Sequence, residues 1–373
     1  MGRGLFLAII LLLHLKPKLI FSDYCYTERD CAVMEEKTMK SISHNTSDAS
    51  LRLVNDTTVP PLKEGDVLIK VSAAGVNRLD LLQVRGLYPP PPGESEILGV
   101  EVSGTIVSLS PLAGSNSGFK IGDRVMALIG GGGYAEYCTA PYQCVMPIPQ
   151  SLSFNKAAAI PEAYLTAYQG LVWNGDLQDN QTVLIHAGAS SVGLAAIQLA
   201  RVLREGVVVI ATSRTEEKLV QCTENGAHFV INSKEKDFKE EVMRITEGKG
   251  VDVILDFIGA SYWDNNIASL ATDGHIVLLG MLGGVTTPSP VNLGLLLKKR
   301  LTVKGSTLRS RSLPYKEKLV SELSANVLPL FTSGKAWPIV DSVFPMEDAA
   351  KAHKRMADNA NKGKIILTLS SDD

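Results

Sequence analysis

The chain has 373 residues, of which 45% are hydrophobic, enough to fill the cores of two domains. Its formal net charge of −2 provides no basic field, so nucleic acid is not an expected partner. Five scattered cysteines exclude a disulfide framework and, without CxxC pairs, predict no metal site; we expect Cys138, Cys144 and Cys222 to be reduced, packed thiols.

The amino terminus carries an apolar run, Leu5 to Leu13, with Arg3 before it and His14 and Lys16 after it. A helix needs about 20 apolar residues to span a bilayer, and this shorter run resembles the apolar part of a signal peptide. Three interpretations of residues 1–40 stay open: a secretory signal, a membrane anchor, or an extension that the folded protein does not use. Because unpaired cysteines conflict with secretion, we expect a cytoplasmic protein without a stable membrane span.

Short strands punctuated by Gly and Pro follow between residues 51 and 160. They are predicted at Asp66–Ala73, Val100–Leu109, Arg124–Leu128 and Tyr134–Ala140. This pattern is typical of a compact, mainly antiparallel domain, which we place in residues 41–162. The preceding segment, Met39–Asn45, is polar and makes a poor first strand.

The most informative segment joins an apolar strand to a helix through a turn of small residues. Val183–Ile185 is the predicted strand, and from Val192 apolar residues recur at helical spacing. The turn follows the dinucleotide-binding fingerprint, with Gly188 and Gly193 at its first and third glycine positions and Ser190 at the second. A strand, a tight turn and a helix N-terminus present free N–H groups and the positive end of a helix dipole, which together can bind a pyrophosphate.

Strands and helices then alternate along the chain. The predicted strands are Val207–Ala211, Phe229–Ile231, Val251–Phe257, His275–Gly280 and Leu301–Ser306, and the predicted helices are Thr215–Asn225, Lys234–Thr246 and Tyr262–Leu270. This order predicts a doubly wound parallel sheet over residues 163–306.

The carboxy-terminal tail, residues 307–373, is predicted to contain two helices, Tyr315–Leu330 and Met346–Met356, and a strand, Lys364–Leu369. Neither this tail nor the amino-terminal strands form a segment large enough to fold alone. We therefore expect them to join into one domain around the inserted parallel sheet. The cleft between two such domains is a usual place for a substrate.

The end of the second strand of the parallel sheet indicates the cofactor. Enzymes that select NAD place an Asp or Glu about 20 residues beyond the glycine turn, but this strand ends in Thr212, Ser213 and Arg214. Arg214 and Lys218 can neutralise a 2′-phosphate, and Thr212 or Ser213 can donate hydrogen bonds to it. We therefore expect NADPH. The alternative is that Arg214, Glu217 and Lys218 only form the solvated start of a helix.

Several segments in combination resemble a known family. They are residues 74–80, 97–104, 122–125, 157–163, 166–167 and 186–188. Over roughly residues 50–370 the chain resembles the zinc-free quinone oxidoreductases of the medium-chain dehydrogenase/reductase superfamily. Residues 87–93, 259–263 and 308–311 carry a closer similarity to the tumour-suppressor-inducible branch of that family.

The resemblance implies a GroES-like catalytic domain, a Rossmann domain and a homodimer. It places near the cofactor Thr166, Ser190, Val192, Lys218 and Gly259, with Leu282 and Arg309 closing over the nicotinamide and phosphates. Two residues depart from the family pattern: Ser191 replaces a glycine of the turn, and Ser233 replaces a tyrosine that stacks near the adenosine ribose phosphate. Both changes predict weaker binding of NADPH.

Hydride transfer to a quinone or conjugated enone needs little help beyond alignment of the cofactor with the acceptor in a water-poor cleft. Tyr88, on a loop stiffened by Pro89 to Pro92, is the leading candidate to stack on or hydrogen-bond the acceptor. Asn77 can donate a hydrogen bond to an acceptor oxygen. The alternatives are that Asn77 caps the helix beginning near Arg78 and that Tyr88 packs on the prolines.

Three other polar residues have simpler interpretations. Asp123 stabilises the turn in which it lies, His186 is a hydrogen-bonded residue at a strand end without a chemical role, and Asp256 lines the cofactor cleft.

Three functions stay open: an NADPH-dependent quinone reductase acting by hydride or single-electron transfer, an NADPH-dependent reductase of α,β-unsaturated aldehydes or ketones, and a structural or RNA-binding protein. The cofactor turn and the acidic balance argue against the third.

Overall fold

A computed structural model describes residues 37–369 of the chain. The apolar run at residues 5–13, and with it the three interpretations of the amino-terminal extension, lies outside the described residues. Within residues 37–369, no helix is both long and apolar enough to cross a membrane.

Fifteen strands and twelve α-helices make up the described part of the chain. The strands are β1 (Thr38–Asn45), β2 (Ser50–Thr58), β3 (Asp66–Val76), β4 (Glu101–Leu109), β5 (Arg124–Leu128), β6 (Tyr137–Pro141), β7 (Val145–Pro147), β8 (Thr182–Ile185), β9 (Val208–Ser213), β10 (Phe229–Asn232), β11 (Val251–Asp256), β12 (Leu270–Leu278), β13 (Thr302–Gly305), β14 (Val340–Pro345) and β15 (Lys364–Thr368). The helices are α1 (Arg78–Val84), α2 (Pro111–Asn116), α3 (Phe154–Ala157), α4 (Pro161–Tyr168), α5 (Ser191–Leu203), α6 (Glu216–Glu224), α7 (Phe238–Ile245), α8 (Trp263–Ser269), α9 (Leu293–Lys299), α10 (Leu313–Asn326), α11 (Leu328–Thr332) and α12 (Ala349–Ala357).

Six parallel strands form one sheet in the order β10-β9-β8-β11-β12-β13. The central strands β8 and β11 are apolar because helices cover both faces of the sheet; Val183, Leu184 and Ile185 are fully buried. The chain order reverses between β8 and β11, so their carboxyl ends form a crevice where ligands bind in such sheets.

The second sheet, in the order β14-β15-β3-β4-β5-β7 with β6 also paired to β3, is antiparallel apart from the β14–β15 pair. Strand β15, from the carboxy-terminal tail, pairs with β3, so segments that precede and follow the parallel sheet in the chain both contribute to this second sheet. The predicted α/β class, with one mainly antiparallel and one doubly wound parallel sheet, is confirmed. The domain boundaries placed in the sequence stay a prediction.

Local differences from the predicted elements have physical causes. The polar segment that made a poor first strand does form a strand, β1, which pairs with β2. Met39 and Ile42 are its only buried hydrophobic residues, so its alternation of apolar and polar residues is weak. The helix predicted at Tyr315–Leu330 is split into α10 and α11, because Pro329 lacks an N–H to continue α10. Helix α7 begins later than predicted, where Asp237 accepts hydrogen bonds from the first N–H groups.

Candidate active site

A buried polar network lies beneath the carboxyl ends of β9, β8 and β11. The His186 ring is hydrogen-bonded through Nδ1 to Thr212 Oγ1 (2.9 Å) and through Nε2 to Asn266 Oδ1 (2.7 Å). The Asn266 amide donates to Asp256, whose carboxylate also accepts from the Gly259 N–H. Burial lowers the pKa of His186 to about 4 and raises the pKa of Asp256 to about 6. The network therefore holds a neutral imidazole and anchors the loop after β11.

This network includes Thr212, whose side chain was expected from the sequence to bind the cofactor. Thr212 is 1% exposed and its hydroxyl is hydrogen-bonded to His186, so this hydroxyl is already engaged within the protein.

The turn between β8 and α5 has the geometry of an anion-binding helix N-terminus. Ser190 is the N-cap of α5, and its Oγ accepts a hydrogen bond of 3.1 Å from the Gly193 N–H. A Cβ on Gly193 would lie 2.5 Å from the carbonyl oxygen of Gly188, so only glycine lets the helix approach the turn this closely. Ser190, Ser191 and Val192 are half-buried. The positive end of the α5 dipole therefore lies at this turn, as it does in helix N-termini that bind phosphates.

Two cations lie where β9 leads into α6. Arg214 is exposed, and Lys218 is half-buried with its Nζ donating a 2.6 Å hydrogen bond to the carbonyl oxygen of Asn359. Burial lowers the pKa of Lys218, and the nearby positive charge of Arg214 lowers it further. Ser233 lies beside them, with its N–H and hydroxyl both donating to the carbonyl oxygen of Ser213. An anionic group placed here would meet both cations.

The loops after β11 and β12 are joined by backbone hydrogen bonds. The Leu282 N–H donates to Phe257 O at 3.1 Å, while the Leu282 side chain is 52% exposed. Gly259 has a φ of 82°, and a Cβ there would lie 2.6 Å from Met281 Sδ. Gly259 therefore lets the two loops meet and leaves the Leu282 side chain free to cover a ligand.

Buried polar atoms without partners line one face of α4 and of the π-helix that continues it, Gln169–Asn174. They are Glu162 Oε2, Thr166 Oγ1 and Gln169 Nε2, on residues spaced at i, i+4 and i+7, which share a helix face. Arg309 adds two more, Nη1 and Nη2; its Nε donates to the carbonyl oxygen of Gly130 at 2.7 Å. Buried polar groups are rarely left unpaired in a native structure, so this set is typical of a site that a polar ligand completes.

Tyr88 belongs to the same cluster. The Arg309 Cζ lies 6.0 Å from the centre of the Tyr88 ring. Burial raises the pKa of Tyr88, the negative charge of Glu162 raises it further, and Arg309 opposes the shift. The structure thus brings together Tyr88, Arg309 and Thr166, which the sequence analysis named, and Glu162, which it missed. The available signal was spacing, since Glu162 precedes Thr166 by one helical turn.

Asn77, in contrast, is engaged in a buried network of its own. Its Nδ2 donates to Glu101 Oε1 at 2.8 Å and its Oδ1 accepts from Lys364 Nζ at 2.8 Å. Lys364 and Glu101 form an ion pair of 2.6 Å, and both side chains are fully buried. Asn77 is also the N-cap residue of α1, where its N–H donates to Asp80. Its amide is thus bound to protein atoms on both sides.

Within the described part of the chain, no group of three or more His, Cys, Asp or Glu side chains is placed to hold a metal ion. Cys138, Cys144 and Cys222 are buried free thiols, as predicted, and burial raises the pKa of each to about 12.

Known proteins resemble the chain along most of its length. The family model of the alcohol dehydrogenase GroES-like domain matches residues 63–150, and that of the zinc-binding dehydrogenases matches residues 191–325. The quinone oxidoreductase of Lama guanicoe is 33% identical over 321 residues, which cover 86% of this chain and 93% of the relative. The chain belongs to the quinone oxidoreductases of the medium-chain dehydrogenase/reductase superfamily.

Other members of this superfamily agree with that assignment. The human quinone oxidoreductase is 32% identical over 86% of this chain and 94% of its own length, and the human synaptic vesicle membrane protein VAT-1 homolog is 32% identical over 85% and 82%. A mycobacterial structure solved in complex with NADPH has 30% identity and a TM-score of 0.77, covering 88% of this chain and 99% of that one. The protein is therefore a nicotinamide-dependent oxidoreductase of this family, with a GroES-like domain and a Rossmann domain.

Proposed function

We propose that the protein reduces quinones with NADPH, by hydride or electron transfer from the nicotinamide without a metal ion. The observation that carries this proposal is the buried guanidinium of Arg309, whose Nη atoms have no partner and which lies beside the Tyr88 ring. A fixed cation in a water-poor cleft stabilises the negative charge that develops on an acceptor oxygen during reduction. The names of the curated quinone oxidoreductase relatives support the same acceptor class.

The residues of the proposed cleft have separate roles. The bound cofactor supplies the reducing electrons. In this proposal the N-terminus of α5, with Gly188, Ser190, Ser191, Val192 and Gly193, binds the pyrophosphate, while Thr166, Gly259 and Leu282 position the nicotinamide. Tyr88 stacks against the acceptor, and Arg309 faces its oxygen. Exclusion of water by these side chains strengthens the electrostatic effect of the guanidinium.

The preference for NADPH rests on the end of β9. Arg214 and Lys218 flank this point, and the nearby carboxylates are already engaged: Glu216 accepts from the Asn232 amide and Glu217 pairs with Lys362. The end of β9 itself, Thr212-Ser213-Arg214, includes no carboxylate of the kind that binds the ribose hydroxyls in NAD-selective sites. Ser233 completes the edge of this 2′-phosphate site.

The test is NADPH oxidation measured side by side with 1,2-naphthoquinone and with a 2-alkenal, each with NADH as the second donor. We expect the highest kcat/KM for the quinone with NADPH. A higher kcat/KM for the alkenal would favour the alternative, a reductase of α,β-unsaturated carbonyl compounds. Equal efficiency with NADH would contradict the cofactor assignment, and no oxidation with either acceptor would overturn the redox function. We also propose, from the family resemblance, a cytoplasmic homodimer, which sedimentation and cell fractionation would test.

A further inference from the structure

Glu162 is a buried carboxyl group in the cleft to which the reaction above assigns no role. The residue is 9% exposed, and its Oε2 has no hydrogen-bond partner. Its backbone N–H donates to Glu101 Oε2 at 2.8 Å, which fixes the first turn of α4. The carboxyl group is therefore held in place by the main chain while one of its oxygens stays unpaired within the protein.

The charges around Glu162 come from several elements. Glu101 on β4 and Asp80 on α1 disfavour its ionised form, whereas Lys364 on β15 and Lys316 on α10 favour it. Lys364 already forms an ion pair with Glu101. Burial, followed by the repulsion from Glu101, raises the pKa of Glu162 to about 7. Near neutral pH a large fraction of this carboxyl group thus carries a proton.

Glu162 lies near the residues that we propose bind the acceptor, so its proton could pass to the acceptor. The Glu162 carboxylate interacts electrostatically with both Tyr88 and Arg309 and favours the protonated form of each. It also shares a face of α4 with Thr166, one turn away. An acceptor stacked on Tyr88, with its oxygen facing Arg309, would lie beside the unpaired Oε2. A general acid must be within hydrogen-bond reach of the atom that it protonates, so this inference requires the acceptor oxygen to bind within that reach of Oε2.

We propose that Glu162 is the proton donor of the reduction, giving its Oε2 proton to the acceptor oxygen as that oxygen becomes negative. This inference rests on the proposed function. In the two-electron reaction, the reduced nicotinamide loses a hydride and becomes oxidised, and the acceptor gains that hydride. The O–H bond of Glu162 breaks, a new O–H bond forms on the acceptor, and a proton from the solvent then reprotonates the Glu162 carboxylate, so the overall reaction takes up one proton. Arg309 stabilises the negative charge until the proton arrives.

The kinetic test compares wild-type protein with Glu162→Gln and Glu162→Asp, and with Glu240→Gln on the exposed side of α7 as the matched control. In the wild-type protein, we expect kcat for naphthoquinone to fall above about pH 7. Glu162→Gln should lower kcat at pH 6 by about tenfold or more and abolish this alkaline decline, because glutamine donates a hydrogen bond but no proton. Glu162→Asp should restore part of the decline, and the control should match the wild-type profile.

A second readout needs neither cofactor nor acceptor. The folded-state pKa of Glu162 lies above its unfolded value, so the folded protein binds more protons between about pH 4.5 and 7 and loses stability as the pH rises through this range. The urea midpoint of the wild-type apoprotein should therefore fall relative to that of Glu162→Gln across this range. Parallel midpoints for the two proteins would overturn the proposal.

Other outcomes separate the inference from the proposed function. An inactive wild-type protein would refute the proposed function. An active wild-type protein whose pH profile is unchanged in Glu162→Gln would overturn the inference alone. Loss of the alkaline decline in Tyr88→Phe instead of Glu162→Gln would assign the proton to Tyr88 and would equally overturn the inference.

Discussion

Lys218 and Asn359 connect the cofactor side of the parallel sheet with the loop that leads into β15. The Lys218 ammonium donates a 2.6 Å hydrogen bond to the Asn359 carbonyl oxygen, and the Asn359 side chain accepts a 2.7 Å hydrogen bond from Arg78. This contact orients the ammonium and leaves two of its three N–H donors for another acceptor. Asn359 thus positions the half-buried cation that we assign to the 2′-phosphate.

Replacing Lys218 by methionine should reduce selectivity for NADPH. A charged hydrogen bond is worth about 1.5–3 kcal/mol, so kcat/KM for NADPH should fall by about tenfold or more, while kcat/KM for NADH should change little. Steady-state kinetics with both donors measures the difference, with Lys234→Met, an exposed lysine, as the control. Equal losses with the two donors would contradict the assignment of Lys218 to the 2′-phosphate.

Replacing Tyr88 by phenylalanine or alanine tests the acceptor side of the cleft. Alanine removes the ring beside Arg309, so we expect a lower kcat and a higher KM for the quinone, with the KM for NADPH unchanged. Phenylalanine keeps the ring and should retain stacking while losing any hydrogen bond of the hydroxyl group. Tyr142→Phe in the antiparallel region serves as the control. Wild-type turnover in both Tyr88 variants would remove this residue from the site.

Gly193→Ala should damage the turn that binds the phosphates. The added Cβ would meet backbone oxygens of Gly188 and Ala187 at 2.5 and 2.6 Å, and backbone cannot move aside as a flexible side chain can. We expect a loss of about 1–3 kcal/mol in the free energy of unfolding and weaker binding of NADPH. In Gly114→Ala the new Cβ has no neighbour within 4 Å, so this helical control should be neutral or stabilising. Urea denaturation and fluorescence titration with NADPH compare the two.

Lys364→Met should destabilise the fold strongly. It would leave the fully buried Glu101 carboxylate without its cation, and breaking a buried pair in this way costs about 3–5 kcal/mol. Lys362→Met, two residues away, removes a surface pair of 3.4 Å with Glu217 and should cost less than about 1 kcal/mol. Similar urea midpoints for the two variants would show that the buried pair contributes no more than the surface pair.

Acid should destabilise the protein through His186. Its folded-state pKa of about 4 lies below the ordinary value of 6.5, so the unfolded chain binds more protons between these values. Stability is therefore lost as the pH falls from about 6.5 to 4, by on the order of 3 kcal/mol. His186→Gln cannot titrate, so the wild-type free energy of unfolding should fall relative to that of the variant over this range. If the two curves stay parallel, His186 is not the group responsible.

The parallel sheet could be predicted because its signals are local. Val183–Ile185 is apolar throughout because β8 is buried on both faces, and the small residues that follow leave room for α5. The cations Arg214 and Lys218 could be identified for the same reason, since a strand end and its following helix are adjacent in the chain. Strand β1 was harder to predict, because its partner β2 and its two core residues supply most of its stabilisation.

The candidate site was only partly predictable. Asn77 has the residue type of a hydrogen-bond donor to substrate, but two residues distant in the sequence, Glu101 and Lys364, engage its amide. Thr212 looked available at a strand end, but His186 on the neighbouring strand engages its hydroxyl. Burial and hydrogen-bond competition of this kind depend on which distant segments meet.

Periodicity and turn composition were enough to predict the fold class and the small-residue turn before α5, because each is a property of a few consecutive residues. The tertiary structure alone decided that Glu162, Tyr88 and Arg309 come close enough to interact electrostatically and that Glu162 keeps an unpaired carboxyl oxygen. The physical reason is that desolvation and electrostatic coupling act through space. Neither leaves a pattern along the chain.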